Sequence, residues 1–321
     1  MKGSSHKNGR RIDYLRISVT DRCNLRCIYC MPPQGVQWKS HDRILTYEEI
    51  ARFARAAVKA GISKVRITGG EPLVRKDIIS LIRYLSEIPG LHDISMTTNG
   101  ILFPSHADEL KKAGLRRINI SIDSLDESRY GQMTRGGKLA EALRAVECAL
   151  SLGFSPVKVN AVIISGINDE VGHFLDFVKL YPVHVRFIEY MSAGPVAGMS
   201  YLSNDEVAER LKAKASLAQT ISPEGAGPAR YYTFKEARGT IGFISPVSRH
   251  FCDSCSRLRL SADGKLLTCL YSSEEIDVSG LLGNDDDERL SAALQEARDR
   301  KMTLQGGVQD SLPRRMFRVG G

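Results

Sequence analysis

Three thiols lie within eight residues, Cys23, Cys27 and Cys30, directly after an alternating apolar run at 14–19, YLRISV. The spacing is C-x3-C-x2-C. Three thiolates on one loop can hold three irons of a cubane whose full complement is four ligands, which leaves the fourth iron open to a group from outside the polypeptide. Zinc competes for thiols, but structural zinc sites are closed by four protein ligands, and the nearest downstream histidine is His41. Plain packing, or a zinc completed from a distant segment, is the alternative on spacing alone.

A second set, Cys252, Cys255 and Cys269, has the spacing C-x2-C-x13-C and again leaves a metal position open. Its alternative is a zinc knuckle finished by His250. The adjoining strand-like run carries Arg257 and Arg259 on alternate residues. A side-chain period of two puts both guanidiniums on one face, with Leu258 turned to the other. Guanidiniums fork onto phosphate oxygens, so the pair suits an anionic ligand; without the cysteines it would read as the solvated face of an edge strand. Arg16 and Arg66 also sit inside strand-like runs, where an inward arginine is costly unless an anion or a buried carboxylate meets it. Cys148 belongs to neither set and reads as a small buried hydrophobe in a helical run.

Lys and Arg number 45 against 37 Asp and Glu, a net charge of +8 over 321 residues. Much of the excess sits in isolated pairs and there is no basic arm, so nucleic acid is not an expected partner. No apolar run approaches the roughly 20 residues of a membrane span, and the N-terminus is polar and basic rather than a secretory signal. A cytoplasmic location, with reduced thiols, is the expectation, and an odd count of seven cysteines argues against a disulfide framework. No GxxxxGK[ST] loop occurs, so basic side chains would have to hold a triphosphate, and binding should weaken with salt.

These groups need a scaffold. Strand-like runs at 14–19, 64–68, 93–98, 116–123, 157–163 and 184–191 alternate with amphipathic segments. In one of these, Ile50, Phe53, Ala54 and Ala57 share a face, and Gly61, like Gly114 and Gly153 after it, stands at a C-cap. Six such runs imply an α/β fold with a parallel sheet, as an open doubly wound sheet or as a barrel. Both place ligands at the C-terminal strand ends, where the cysteine loop leaves the first strand. After about 195 the rhythm changes to a helix at 203–215, a linker SPEGAGPAR, and short strands with a hairpin at Asp263-Gly264. The acidic run at 285–288 should start a helix. The expected division is 1–220 and 221–321.

The motifs DRCNLRCIYCMPP, RITGGEPLVR, INISIDSL, VKVNAVIISGIND, VRFIEYM and HFCDSCSRLRLSADGKLLTC, with the terminal GG, closely resemble the MoaA family of GTP 3′,8-cyclases within the radical S-adenosylmethionine (SAM) superfamily. The resemblance runs from about Asp13 to Gly321. It implies an incomplete (βα)6 barrel with a C-terminal α+β extension, two [4Fe–4S] clusters and SAM. It implies conversion of GTP to 3′,8-cyclo-7,8-dihydro-GTP at the start of molybdenum cofactor biosynthesis, after a 5′-deoxyadenosyl radical takes the C3′ hydrogen. Carried over residue by residue, Cys23, Cys27 and Cys30 would hold one cluster, and Cys252, Cys255 and Cys269 the other. Tyr29, Gly70, Ser121 and Met191 fall at SAM positions; Arg16, Arg66, Thr97, Lys158, Arg257 and Arg259 at GTP positions, with Arg16, Arg257 and Arg259 closest to the chemistry. Taken alone, Met191 reads as core, Lys158 as a solvated strand residue, and Thr97 and Ser121 as groups satisfying strand ends. The partners implied are GTP, an external electron donor and a downstream cyclic pyranopterin monophosphate synthase, with a homodimer left open. Gly320-Gly321 would reach into the active site. Rival readings are a radical SAM enzyme acting on a peptide and a non-enzymatic zinc or nucleic-acid-binding protein.

Overall fold

The computed structural model describes residues 10–191, 198–224, 227–272, 274–283 and 286–303. Six strands follow the sequence pattern closely: β1 (Tyr14–Ser18), β2 (Lys64–Thr68), β3 (Asp93–Thr98), β4 (Arg117–Ser121), β5 (Val157–Ile163) and β6 (His184–Glu189). They pair in chain order and all in parallel. Helices α1 (Tyr47–Lys59), α2 (Ile78–Ser86), α3 (Phe103–Lys112), α4 (Glu127–Thr134), α5 (Leu139–Ser151) and α6 (His173–Leu180) return the chain between them. Helix α1 shows why the pattern works. Thr46 and Glu49 form a capping box at its start, Ile50, Phe53, Ala54 and Ala57 are buried, and Gly61 continues past its end at φ +101°. Gly114 and Gly153 also adopt positive φ at helix ends.

The later strands join the same sheet. β7 (Ala218–Thr220), β8 (Arg230–Thr233) and β9 (Thr240–Ile244) extend it beyond β6, with β9 parallel to β6. At the other edge β10 (Arg257–Leu260) lies parallel to β1, followed antiparallel by β11 (Lys265–Leu267) and β12 (Ile276–Asp277). Gly264, at φ +79°, turns the expected hairpin. Helices α7 (Asn204–Lys212), α8 (Ser279–Leu282) and α9 (Asp287–Thr303) complete the order. The run at 203–215 is therefore helical over 204–212, and the acidic run leads into α9, its first residue, Asp285, lying outside the described residues.

The sheet is curled into an unclosed barrel. Adjacent strands lie about 4.8 Å apart, so β1 and β6 would be roughly 24 Å apart in a flat sheet. Yet Arg186 on β6 feels the charges of Arg66 on β2 and Tyr14 on β1. Outward residues such as Leu15, Ile17, Val65 and Ile67 pack under the helices in one large apolar core. Inward positions are polar. The barrel is incomplete: among the described residues no ladder joins β7 to β12.

Candidate active site

The cysteine loop is held by its backbone. Ile28 N donates to Met133 O at 2.9 Å, and the Arg135 guanidinium donates to both Arg26 O and Met31 O at 2.7 Å. On its other side lies Gly69-Gly70-Glu71. Gly70 N donates to Thr20 O at 2.7 Å and Glu71 N to Arg22 O at 2.8 Å. A Cβ on Gly70 would stand 2.3 Å from Arg22 O, and one on Gly69 2.8 Å from Thr20 O. The missing side chains of these glycines admit the cysteine loop itself.

Glu71, unassigned from sequence, is buried and fastens this loop to the end of β3. It accepts from Leu73 N at 3.0 Å, and from the Thr98 hydroxyl and Asn99 N at 2.7 Å each. Burial pushes its carboxyl up to about 7 against those donors. Asn99 in turn donates to Asn24 Oδ1 at 2.7 Å, beside Cys23.

These elements enclose a cavity of about 200 Å³ at the C-terminal strand ends. Cys23, Cys27 and Cys30 line it, together with Tyr29, Gly70, Thr97, Ser121 and Met191. The structure thus gathers every expected SAM-position residue, and Thr97, around the first thiol set. The Tyr29 hydroxyl donates to Asp123 Oδ2 at 2.9 Å, while Asp123 Oδ1 accepts from Val162 N at 2.9 Å. Burial raises Asp123 to about 6. Met191 lines the cavity and also packs on the cluster of Leu267 and Leu270. Glu189 was also missed. It accepts from Asn204 N and Val247 N at 3.0 Å and Ser248 N at 2.9 Å, fastening the last barrel strand to α7 and to the loop after β9.

The cationic residues stand elsewhere, inside the barrel. Register places Arg16 between Arg259 and Arg66, and Asn119 beside Lys158. Arg117 and Arg186, on the inward face of β4 and β6, join them. The rule that flagged Arg16, an arginine inside a strand-like run, would have found both. Arg117 is ion-paired, its Nε donating to Asp93 Oδ1 at 2.9 Å, and Arg186 Nε donates to Asn160 Oδ1 at 2.8 Å. Lys158, expected on the solvated side if taken alone, is instead 2% exposed, with Nζ donating to Glu224 O at 2.7 Å. Leu258 is fully buried on the opposite face, as expected. Burial, then Arg259 and Arg66, press Arg16 towards proton loss. A guanidinium does not yield its proton at accessible pH, so the pressure persists as the cost of burial joined by like-charge repulsion.

Lys158 can yield. Burial first, then Arg186, Arg117 and Arg66, lower it from its ordinary 10.5 to about 6. The unfolded chain therefore holds this proton up to about 10.5 and the folded chain only up to about 6. Folded stability at this group is complete above the higher value and declines as pH falls towards the lower. A polyanion in the lumen reverses the bias. Tripolyphosphate binding at pH 7.5 is expected to take up a proton and to tighten, by at most about tenfold per pH unit, as pH falls towards 6. Calorimetry in buffers of differing ionisation enthalpy reads the uptake, which Lys158→Met should abolish.

The second thiol set lies at the opposite strand ends, since Cys255 precedes β10 whereas Cys23 follows β1, and the two strands are parallel. Register pairs Arg259 with Leu267; run on by two residues, it brings Cys269 opposite Arg257, beside Cys255. Burial would raise Cys255, but Arg257 and then Lys301 outweigh it and hold the thiol at about 6. Arg257 Nε donates to Cys255 Sγ at 3.4 Å. The first set is different: burial, then Asp123 and the other two thiols, push Cys27 well up, and Cys23 rises to about 11. Cys148 is half-buried against the core rather than fully inside.

All seven cysteines are free thiols. Among the described residues no group of three His, Cys, Asp or Glu gathers tightly enough for a single ion, and His250 is exposed. Three thiols around a cavity fit a cluster, whose ligands occupy separate corners, better than one zinc. Gly320-Gly321 lies outside the described residues. No helix among them is long and apolar enough to cross a membrane.

A family model described as the radical SAM superfamily matches residues 17–178, and one described as Molybdenum Cofactor Synthesis C matches 183–305. A GTP 3′,8-cyclase of Alkaliphilus metalliredigens is 46% identical over 97% of this chain and 98% of its own. One of Pelotomaculum thermopropionicum is 48% identical over the same shares. Among solved structures, Streptococcus suis SuiB bound to S-adenosylmethionine superposes with a TM-score of 0.60 at 16% identity, over 87% of this chain. SuiB is the longer protein, and this chain spans 65% of its length; the likeness concerns the fold alone. The chain belongs to the radical SAM superfamily and, within it, to the GTP 3′,8-cyclase family.

Proposed function

We propose that this chain converts GTP to 3′,8-cyclo-7,8-dihydro-GTP, the first step of molybdenum cofactor biosynthesis. The observation that carries the reading is a barrel with one thiol set beyond each end of the β1–β10 pair and arginines on the strands between them. Strand β1 separates the ends by about 17 Å at 3.3 Å per residue, room for a nucleotide. When bound, the two [4Fe–4S] clusters and SAM supply the radical that takes hydrogen from C3′ of GTP, chemistry that belongs to the cofactors.

The chain's own residues bind, orient and shield. Cys23, Cys27 and Cys30 would hold the SAM cluster, with Tyr29, Gly70, Ser121 and Met191 around SAM. Asp123, by accepting the Tyr29 hydroxyl, fixes that ring. Cys252, Cys255 and Cys269 would hold the second cluster. Arg16, Arg66, Lys158, Arg257 and Arg259 would hold the triphosphate, with Thr97 at the cavity wall. Residues 221–321 would form the extension that carries the second cluster. The reaction draws on an external electron donor, and a cyclic pyranopterin monophosphate synthase would take the product. A reducing compartment, the cytoplasm, suits these thiols.

A peptide substrate is the second reading, because SuiB has also been solved with its precursor peptide. The cationic lumen favours the nucleotide. Anaerobically reconstituted protein with SAM and reductant is expected to release 5′-deoxyadenosine only when GTP is added. Release independent of GTP, or none with it, would overturn the proposal.

A further inference from the structure

Tyr14 opens β1 and shares its inward face with Arg16, two residues on. Register sets it between Arg257 and Lys64. The Arg66 guanidinium lies 5.5 Å from the centre of its ring, which fixes the side chain against the lumen. Its hydroxyl oxygen is buried and, among the described residues, has no hydrogen-bond partner. A buried hydroxyl without a partner is normally destabilising.

The surroundings explain the missing partner. The groups whose charges act on Tyr14 are Arg66, Arg16, Arg257 and Arg117. Burial pushes the phenol up, but those four guanidiniums prevail and lower it. Guanidiniums only donate hydrogen bonds. None of them can accept the phenolic proton, so its acceptor has to come from outside the described residues. A site walled by cations selects an anion.

We propose that the Tyr14 hydroxyl donates a hydrogen bond to a phosphate oxygen of the nucleotide, as a substrate-binding residue among the lumen cations. The inference rests on the GTP reading for its substrate. Its physical basis, an orphan donor among cations, requires only a polyphosphate.

The test compares wild type with Tyr14→Phe, both carrying two clusters, by anaerobic equilibrium dialysis with GTP and with inorganic tripolyphosphate. A neutral donor on a charged acceptor is worth about tenfold or more. The Kd for both ligands is expected to rise about tenfold, with the KM for GTP following and kcat and the KM for SAM changing less than about threefold. Phenylalanine keeps the ring and removes the orphan atom, so Tm should hold or rise. An unchanged Kd for tripolyphosphate would overturn the phosphate contact, as would a fall in Tm accompanied by loss of kcat. If wild type binds tripolyphosphate but not GTP, and Tyr14→Phe still weakens the former, the contact stands and the GTP reading falls.

Discussion

Replacing Arg16 with alanine is expected to lower kcat/KM for GTP-dependent deoxyadenosine release by on the order of 10²-fold, or about 3 kcal/mol, without lowering Tm. The two halves have one cause. Arg16 sits in register between Arg259 and Arg66, and burial followed by Arg259 is what presses on it. In the empty protein it is repelled by its neighbours, so alanine relieves the fold. With a triphosphate bound the same proximity becomes concerted attraction, so alanine weakens the complex. Sites that store like-charge strain for a ligand commonly trade stability against function. Because the cations act on one anion, Arg16→Ala with Arg259→Ala should lose less than the sum of the single losses. A fall in Tm of several degrees with unchanged GTP affinity would make Arg16 a structural residue and leave the lumen without its assigned task.

Local periodicity carried the six barrel strands, because each is an alternating or apolar run bounded by helix caps. Curvature was not legible. Whether a parallel sheet stays open or curls depends on contacts between strands distant in sequence, and the charge coupling of β6 to β1 and β2 is such a contact. Nor did periodicity say that β9 and β10 would add in parallel to β6 and β1; short strands in an extension do not announce their neighbours.

The site divides in the same way. Both thiol sets could be read from spacing, and Arg16 and Arg66 from being arginines where apolar residues belong. Arg117 and Arg186 obey that rule and were passed over. Glu71, Asp123 and Glu189 lie inside quoted motifs yet received no role, since their partners are backbone N–H groups and hydroxyls brought in by the fold. Tyr14 looked like an ordinary β-former. Its significance lies in what surrounds it.

Cys27→Ser is expected to have the largest effect: about half the iron lost and GTP-dependent deoxyadenosine release reduced to background. Of the first thiol set Cys27 is pushed well up, by burial, then Asp123, then Cys30 and Cys23. Without metal such a thiol stays protonated, and iron must displace that proton to bind. A serine hydroxyl, far less acidic and a poor ligand for these irons, cannot follow. Since the Cys27 thiol is uncharged before loading and serine is nearly the same size, the metal-free variant should melt within a few degrees of the parent. The second thiol set stands at the opposite strand ends, with Cys255 already held at about 6 chiefly by Arg257, so its cluster should load normally. Iron and labile sulfide analysis, with electron paramagnetic resonance of the reduced protein, reads both centres. Cys148→Ser, at a thiol outside both sets, should leave iron and turnover unchanged. Retention of full iron and turnover by Cys27→Ser would show that this loop does not hold the cluster through three thiols, and the open iron position on which SAM binding depends would have no basis.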